Sequence, residues 1–152
     1  MSEIVEGAKA PAFKGTDQNG NTISLADFSE KKLILYFYPK DDTPGCTKEA
    51  CNLRDNYNEL KNNGFDVVGV SADKAEKHIK FIEKYNLPFS LIADVDKQVI
   101  NAFQCWGPKK FMGREYEGIL RKTFVIENET IIKIFEKVKT TAHFEQIMEA
   151  LN

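Results

Sequence analysis

The longest apolar run in the chain is LILYFY, residues Leu33 to Tyr38. Such a continuous run of β-prone residues predicts a strand buried on both faces, as in the centre of an α/β sheet. Pro39 follows the run and predicts its end, because proline has no N–H to donate to a sheet ladder. The run is also far shorter than the roughly 20 residues of a membrane-spanning helix, so we expect no membrane partner.

A helix is predicted directly after this strand. Thr43 suits the N-cap position and Pro44 the first helical position. Asn63-Gly64 marks the C-terminal end of the helix. Between these signals, apolar residues recur at spacings of three and four and predict one buried helix face: Ala50, Leu53, Tyr57 and Leu60.

The rest of the chain alternates between strand and helix patterns. The predicted strands are Thr22–Leu25, Phe65–Val70, Phe89–Ala93, Ile119–Ile126 and Thr130–Glu136. The predicted helices are Ala75–Tyr85, Val95–Phe103 and Thr141–Leu151, and we interpret Trp106–Gly118 as an irregular loop. This order predicts one α/β domain over residues 1–152, with a mixed central β-sheet flanked by helices on both faces.

Composition and charge narrow the function classes. The chain has 152 residues, a net charge of -2 and three cysteines. These values are typical of an ordered globular domain and give no reason to expect a nucleic-acid partner. The segment from Met1 to Lys14 has no apolar run and does not resemble a signal peptide, so we expect a reducing, cytoplasmic location. There, cysteines are more often reactive, metal-bound or packed than cross-linked.

Cys46 has the most informative position of the three cysteines. With Thr43 as N-cap, Cys46 is the third residue of a helix that begins at the carboxyl end of a buried strand, where α/β proteins place their sites. Free N–H groups and the helix dipole at this position favour a thiolate, the reactive form of cysteine. The location therefore indicates a nucleophile. The alternative is that Cys46 is a small packed side chain on the apolar helix face.

Cys51 is five residues further along the same predicted helix. That spacing rotates Cys51 by roughly 140° away from Cys46 and raises it by about 7.5 Å. Disulfide-bonded cysteines have Cα atoms about 4.4–6.8 Å apart, so the two cannot bond while the helix is intact. A bond between them requires the first turns to unwind, which is more consistent with a catalytic cycle than with a static cross-link.

Other chemistry-bearing residues have simpler interpretations. A zinc site is weakly indicated, because His78 and His143 are isolated in other predicted helices. Glu49 lies in the first turns of the helix, where a capping carboxylate suits the dipole. Cys105 follows an apolar helix and is interpreted as a packed or half-exposed spare thiol.

The segment around Cys46 resembles the active-site signature of the peroxiredoxins, Pro39-x-x-x-Thr43-x-x-Cys46. Its extension to Thr47 and to Glu49-Ala50-Cys51 resembles the Q-type, or bacterioferritin-comigratory-protein-like, branch. Further similar blocks cover essentially the whole chain: Gly7-x-x-Ala10-Pro11-x-Phe13, Phe65–Ser71 with Asp73-Lys74, Trp106-Gly107, Phe111–Gly113 and Gly118–Phe124. The resemblance implies a thioredoxin-like fold and a thiol-dependent peroxidase.

The resemblance also implies a role for each matching residue. Cys46 is the implied peroxidatic cysteine and Cys51 the implied resolving cysteine, which form an intramolecular disulfide. Thr43 orients the peroxide and Pro39 shields the sulfur from water. Arg121 supplies positive charge, and a predicted strand from Ile119 to Ile126 would direct its side chain inward, although a shifted or edge strand would leave it solvated. Together with Gly45, these residues form the implied peroxide-binding site.

The same resemblance implies the partners and excludes cofactors. The substrates are hydrogen peroxide and organic hydroperoxides, and thioredoxin or a similar dithiol is the reductant. No metal, haem or flavin is expected, and a monomer is expected for the Q type. A thiol–disulfide oxidoreductase acting on proteins is a rival, although Cys-x-x-Cys would be expected for it. A non-enzymatic binding or chaperone-like module is a second rival.

Overall fold

The computed structural model describes residues 3–151, so residues 1, 2 and 152 of the predicted domain lie outside the described part. Nine strands, five α-helices and one short 3-10 helix follow one another in these residues. Their order is β1 (Lys14–Thr16), β2 (Thr22–Ser24), the 3-10 helix (Leu25–Phe28), β3 (Lys32–Phe37), α1 (Pro44–Asp55), α2 (Tyr57–Asn62), β4 (Phe65–Ser71), α3 (Ala75–Tyr85), β5 (Ser90–Ala93), α4 (Gln98–Ala102), β6 (Trp106–Phe111), β7 (Arg114–Ile119), β8 (Lys122–Glu127), β9 (Thr130–Phe135) and α5 (His143–Leu151).

A five-stranded mixed sheet with the order β5-β4-β3-β8-β9 forms the centre of the fold. β3 pairs in parallel with β4 and antiparallel with β8, which confirms the prediction of a mixed sheet. β3 is also the predicted central strand, and its residues from Leu33 to Phe37 have no exposed surface. The strand ends at Phe37, one residue earlier than predicted, although the Tyr38 N–H still bonds to the Val70 carbonyl.

The alternating side chains of β3 enter two separate cores. Leu33, Leu35 and Phe37 pack in a layer that includes Val99 and Ile100 of α4. The opposite layer contains side chains from β3, α1, α2, α3 and α5: Ile34, Tyr36, Cys46, Leu60, Phe81 and Ile147. Helices therefore cover both faces of the sheet, as predicted. Within residues 3–151, none of the helices combines the length and the hydropathy that spanning a membrane requires.

The long helix predicted between Thr43 and Gly64 is interrupted. α1 ends at Asp55, and α2 begins at Tyr57. Between them, the Asn56 side chain donates a 2.8 Å hydrogen bond to the Asn52 carbonyl and so competes with the helical ladder. The break leaves α1 as a separate helix whose first turn carries Cys46.

The predicted irregular loop Trp106–Gly118 is wrong, because this segment forms the β6–β7 hairpin. Its strands pair antiparallel from Trp106↔Ile119 to Phe111↔Arg114, and Met112 and Gly113 form the turn with φ of 52° and 80°. A two-residue turn with both φ values positive usually contains Asn-Gly or Asp-Gly. Because methionine occupies the first position here, the turn lacks the usual sequence signal. Consequently Ile119 belongs to β7, and Arg121 lies between β7 and β8 rather than inside a strand.

Gly69 in β4 is closely surrounded by side chains of the two neighbouring strands. A Cβ at Gly69 would lie 2.7 Å from Leu91 Cδ2 and 2.9 Å from Tyr36 Cζ, and both neighbours are fully buried. We therefore expect Gly69→Ala to lower the free energy of unfolding by about 1–3 kcal/mol in chemical denaturation.

Gly118→Ala is the matched control for this substitution. Its new Cβ would meet the flexible Lys109 side chain at 3.3 Å, so the loss should stay below about 1 kcal/mol. Equal losses for the two variants would contradict the tight packing at Gly69.

Candidate active site

Cys46 lies at the carboxyl end of β3, in the first turn of α1. Thr43 has the extended backbone of an N-cap residue and Pro44 is the first helical residue, which confirms both predictions. The Thr43 hydroxyl does not cap the helix but donates to the Lys40 carbonyl at 2.9 Å. Cys46 is 1 % exposed and packs with Tyr36 and Ala50, so its sulfur faces the protein rather than solvent.

The guanidinium of Arg121 joins Cys46 to an acidic side chain. Its Nη2 donates to Cys46 Sγ at 3.3 Å, and its Nη1 donates to Glu49 Oε1 at 2.6 Å. The predicted strand Ile119–Ile126 is present as β8 but begins only at Lys122, so Arg121 lies just before it, and the residue does face Cys46. A Cβ at Gly45 would lie 3.2 Å from Arg121 Nη2, so glycine leaves room for the guanidinium here.

Glu49 belongs to this cluster of side chains, and the sequence did not reveal its environment. The capping interpretation is wrong, because its carboxylate has no exposed surface and forms an ion pair with Arg121. Burial raises the pKa of Glu49 to about 7, and the neighbouring Arg121 charge only partly offsets this effect. Burial also opposes the charge on Arg121, but Glu49 and Cys46 together raise the pKa of its guanidinium.

His143, at the first position of α5, was likewise missed. It is fully buried, its Nε2 is 2.8 Å from Thr123 Oγ1, and the same nitrogen is 3.7 Å from Glu49 Oε2. Burial lowers the pKa of His143 to about 4. The interpretation of this histidine as isolated is therefore wrong, since it lies behind the Arg121–Glu49 pair.

Two acidic side chains hold the loop between β3 and α1 in place. Asp41 Oδ2 is 2.6 Å from Nδ1 of the fully buried His78, whose Nε2 is 2.9 Å from the Ile92 carbonyl. Asp42 accepts hydrogen bonds from Lys84 and Tyr85 at 2.7 Å each. Both contacts anchor the loop to α3 and its surroundings, and they fix the backbone that leads to Thr43.

Asp41, Asp73 and His78 are the group most suited to a metal ion among the described residues, with their ligand atoms within 4.8 Å of one another. Both nitrogens of His78 already have hydrogen-bond partners, and Asp73 Oδ2 accepts from the Ser71 hydroxyl and the Asp41 N–H. Hydrogen bonds therefore account for this cluster without an ion.

The other two cysteines lie apart from this arrangement. Cys51 is half-buried on α1, and burial raises the pKa of its thiol. Cys105 is fully buried next to β6, where its thiol donates to the Phe103 carbonyl at 3.6 Å, and burial raises its pKa to about 12. All three cysteines are free thiols in this structure. Pro39 is half-buried in the loop that precedes Thr43.

Comparisons with known proteins place the chain in a family. The AhpC/TSA family matches residues 7–135. The putative peroxiredoxin Bcp of Haemophilus influenzae is 47 % identical over 99 % of this chain and 98 % of its own length. Peroxiredoxin Bcp of Escherichia coli is 45 % identical over 99 % of this chain and 97 % of its own length.

Solved structures give the same result. Peroxiredoxin Q of Xanthomonas campestris superposes with a TM-score of 0.84 and 31 % identity, covering 91 % of this chain and 89 % of that chain. A mutant PrxQ of Xylella fastidiosa gives a TM-score of 0.90 and 28 % identity, covering 99 % and 97 %. The chain belongs to the AhpC/TSA family, and within it to the Q-type, or Bcp, peroxiredoxins. Its fold is thioredoxin-like, and thiol peroxidase is its class of activity.

The buried His143 makes a pH-dependent contribution to stability. Its pKa is about 4 in the folded chain and 6.5 ordinarily, so the unfolded chain binds more protons between these values. Folded stability should therefore fall as the pH is lowered from 6.5 to 4. We expect His143→Gln to lose less stability than the wild type over this window in urea denaturation. Parallel losses in both proteins would show that His143 does not remain neutral.

Proposed function

We propose that the chain reduces hydrogen peroxide and organic hydroperoxides through a thiolate of Cys46. The observation that carries this proposal is the 3.3 Å hydrogen bond from Arg121 to the Cys46 sulfur. A guanidinium aimed at a buried sulfur stabilises the thiolate, and a charge-assisted hydrogen bond of this kind is stronger than a neutral one.

In the first step, the Cys46 thiolate attacks the terminal oxygen of the peroxide, ROOH. The O–O bond breaks, Cys46 becomes a sulfenic acid (Cys–SOH), and RO⁻ leaves and takes a proton to form ROH. Negative charge moves from sulfur to the leaving oxygen during this step. The Arg121 guanidinium has several N–H donors in one small region, so it can donate hydrogen bonds to the sulfur and to the leaving oxygen as the charge moves.

Three residues of the preceding segment assist the first step. The Thr43 hydroxyl donates a hydrogen bond to the Lys40 carbonyl, so its oxygen can accept a hydrogen bond from the peroxide O–H. Gly45 leaves the space in which Arg121 approaches the sulfur. Pro39, half-buried ahead of Thr43, packs the loop and limits access of water to Cys46.

The second step is resolution by Cys51. The Cys51 thiol condenses with the Cys46 sulfenic acid, so that one disulfide forms and one water molecule leaves. Because five helical residues separate the two cysteines by about 7.5 Å along the axis, the first turns of α1 must unwind before the sulfurs meet. Thioredoxin or a similar dithiol then reduces the disulfide by thiol–disulfide exchange.

The chemistry of this cycle is complete within one chain. Both sulfurs belong to α1, and neither step requires a metal or an organic cofactor. We therefore propose that the protein works as a monomer. Cys105 takes no part, because its thiol is fully buried and its raised pKa leaves it protonated.

Peroxide treatment of the reduced protein tests these assignments. With one equivalent of hydrogen peroxide, we expect a Cys46–Cys51 disulfide in the wild type by peptide mass spectrometry. Cys51→Ser should accumulate oxidised Cys46 without that disulfide, because its sulfenic acid is not resolved, and Cys46→Ser should not react.

Cys105→Ser is the matched control and should behave like the wild type. A Cys46–Cys105 disulfide would move the resolving role to Cys105. An unreactive Cys46 would contradict the mechanism, and reduction of insulin without consumption of peroxide would favour a thiol–disulfide oxidoreductase.

A further inference from the structure

His78 joins two segments of the chain that lie at the carboxyl ends of neighbouring strands. It is the fourth residue of α3 and has no exposed surface. Its Nε2 is 2.9 Å from the Ile92 carbonyl of β5, and its Nδ1 is 2.6 Å from Oδ2 of Asp41, which follows β3. The Asp41 side chain has no exposed surface either. The imidazole ring therefore connects these segments inside the protein, away from water.

The two acceptors around the ring determine how many protons it carries. A carbonyl oxygen only accepts hydrogen bonds, so Nε2 of His78 must carry a proton directed at Ile92. In a neutral ring, Nδ1 would then direct a lone pair at Asp41 Oδ2 from 2.6 Å, which places two acceptors against each other. Within residues 3–151, neither Nδ1 nor Oδ2 has a second hydrogen-bond partner. A proton between these two atoms is therefore required.

The surroundings favour this proton on the ring rather than on the carboxyl group. Asp41 Oδ1 accepts from the Tyr38 hydroxyl at 2.5 Å, and hydrogen bonds to both oxygens favour the ionised form of a carboxylate. An oxygen of Asp73 lies within 4.8 Å of the His78 nitrogen and the Asp41 oxygen, and this second anion favours a charged imidazole. Lys77 is 3.3 Å from Asp73 Oδ1, so two positive charges face two negative ones.

Asp41 lies in the short loop that carries Thr43. The Asp41 N–H donates to Asp73 Oδ2 at 2.8 Å, so both the backbone and the side chain of Asp41 are held. The next residue, Asp42, has a φ of 59°, a left-handed conformation that a non-glycine residue keeps only where its surroundings enforce it. Beyond it, the Thr43 hydroxyl turns back to the Lys40 carbonyl. The position of Thr43 therefore depends on how firmly Asp41 is held.

We propose that His78 is a buried imidazolium paired with the Asp41 carboxylate, and that it is a positioning residue for the loop that presents Thr43 to the peroxide. Its ring bonds to Asp41 and Ile92 rather than to Cys46, so it acts on the reaction through the loop. The catalytic part of this inference rests on the proposed function of Cys46. Removal of one partner leaves the other as an unpaired buried charge, whereas replacement of both by apolar side chains avoids that cost.

Nitrogen-15 NMR of the intact reduced protein tests the charge of His78 without reference to activity. At neutral pH, both ring nitrogens of His78 should carry protons, and the short charge-assisted bond to Asp41 should shift the Nδ1 proton far downfield. Asp41→Asn should leave the ring with one proton, because the neutral amide can donate to Nδ1. A wild-type His78 ring with one proton under these conditions would overturn the proposal.

Two reactions of Cys46 separate positioning of the loop from a general structural effect. Oxidation by hydrogen peroxide uses Thr43, whereas alkylation by iodoacetamide needs only the thiolate. Asp41→Ala and His78→Leu should each lower the second-order rate constant for peroxide by about 10- to 100-fold and change that for alkylation by less than about twofold. The double variant Asp41→Ala/His78→Leu should recover most of the peroxide rate, because it leaves no buried charge unpaired.

Lys80→Leu is the matched control, because Lys80 is exposed on the same helix, and it should react like the wild type. Single variants that react like Lys80→Leu, or that lose the peroxide and alkylation rates equally, would overturn the positioning role. A double variant as slow as the single ones would contradict the ion pair as the cause. Asp41→Asn keeps the shape of the side chain and replaces Asp41→Ala if that variant does not fold. If wild-type Cys46 did not react with peroxide, the proposed function would fail, and the NMR result would still decide the charge of His78.

Discussion

The candidate site depends on the two hydrogen bonds that the Arg121 guanidinium donates to Cys46 and Glu49. The guanidinium joins a sulfur and a carboxyl group of the same helix, both buried, and it arrives from the segment between β7 and β8. Without this cation, a Cys46 thiolate would be a buried charge without a partner, which is costly in a protein interior. The central sheet makes the meeting possible because β3, which leads to α1, is the direct neighbour of β8.

A second constraint comes from the geometry of α1. The helix that stabilises a thiolate at Cys46 also keeps Cys51 out of reach, so the proposed cycle alternates between a folded and a locally unwound first turn. Contacts on either side limit how far the unwinding spreads. Asp41 and Asp42 anchor the preceding loop, and Asn52 Oδ1 accepts from the Phe144 N–H of α5 at 2.7 Å. We therefore expect the change to be concentrated in the turns between these anchors.

The parts of the fold that the sequence predicted correctly are governed by local signals. The apolar run Leu33–Tyr38 predicted β3, and Thr43-Pro44 predicted the start of α1, because strand burial and helix capping depend on neighbouring residues. The same signals placed Cys46 at the helix start. The β6–β7 hairpin was missed because its turn uses methionine at a position with positive φ.

The environment of the site could not be predicted in the same way. Glu49 follows a helical pattern that is equally compatible with an exposed capping residue, and only tertiary packing shows that it is buried. Arg121 and His143 are 72 and 94 residues from Glu49 in the sequence (121 − 49 and 143 − 49), so no local spacing connects them. The family resemblance singled out Arg121, but it offered no indication of the buried carboxyl and imidazole behind it.

The rate of Cys46 oxidation in an Arg121 variant measures the central interaction most directly. With hydrogen peroxide at neutral pH, Arg121→Met should lower the second-order rate constant by about 10²–10³-fold, as for removal of a donor that stabilises developing charge. Arg54→Met is the matched control, because Arg54 lies on α1 and donates to the Tyr85 carbonyl rather than to Cys46. A folded Arg121→Met variant that reacts as fast as Arg54→Met would contradict the account.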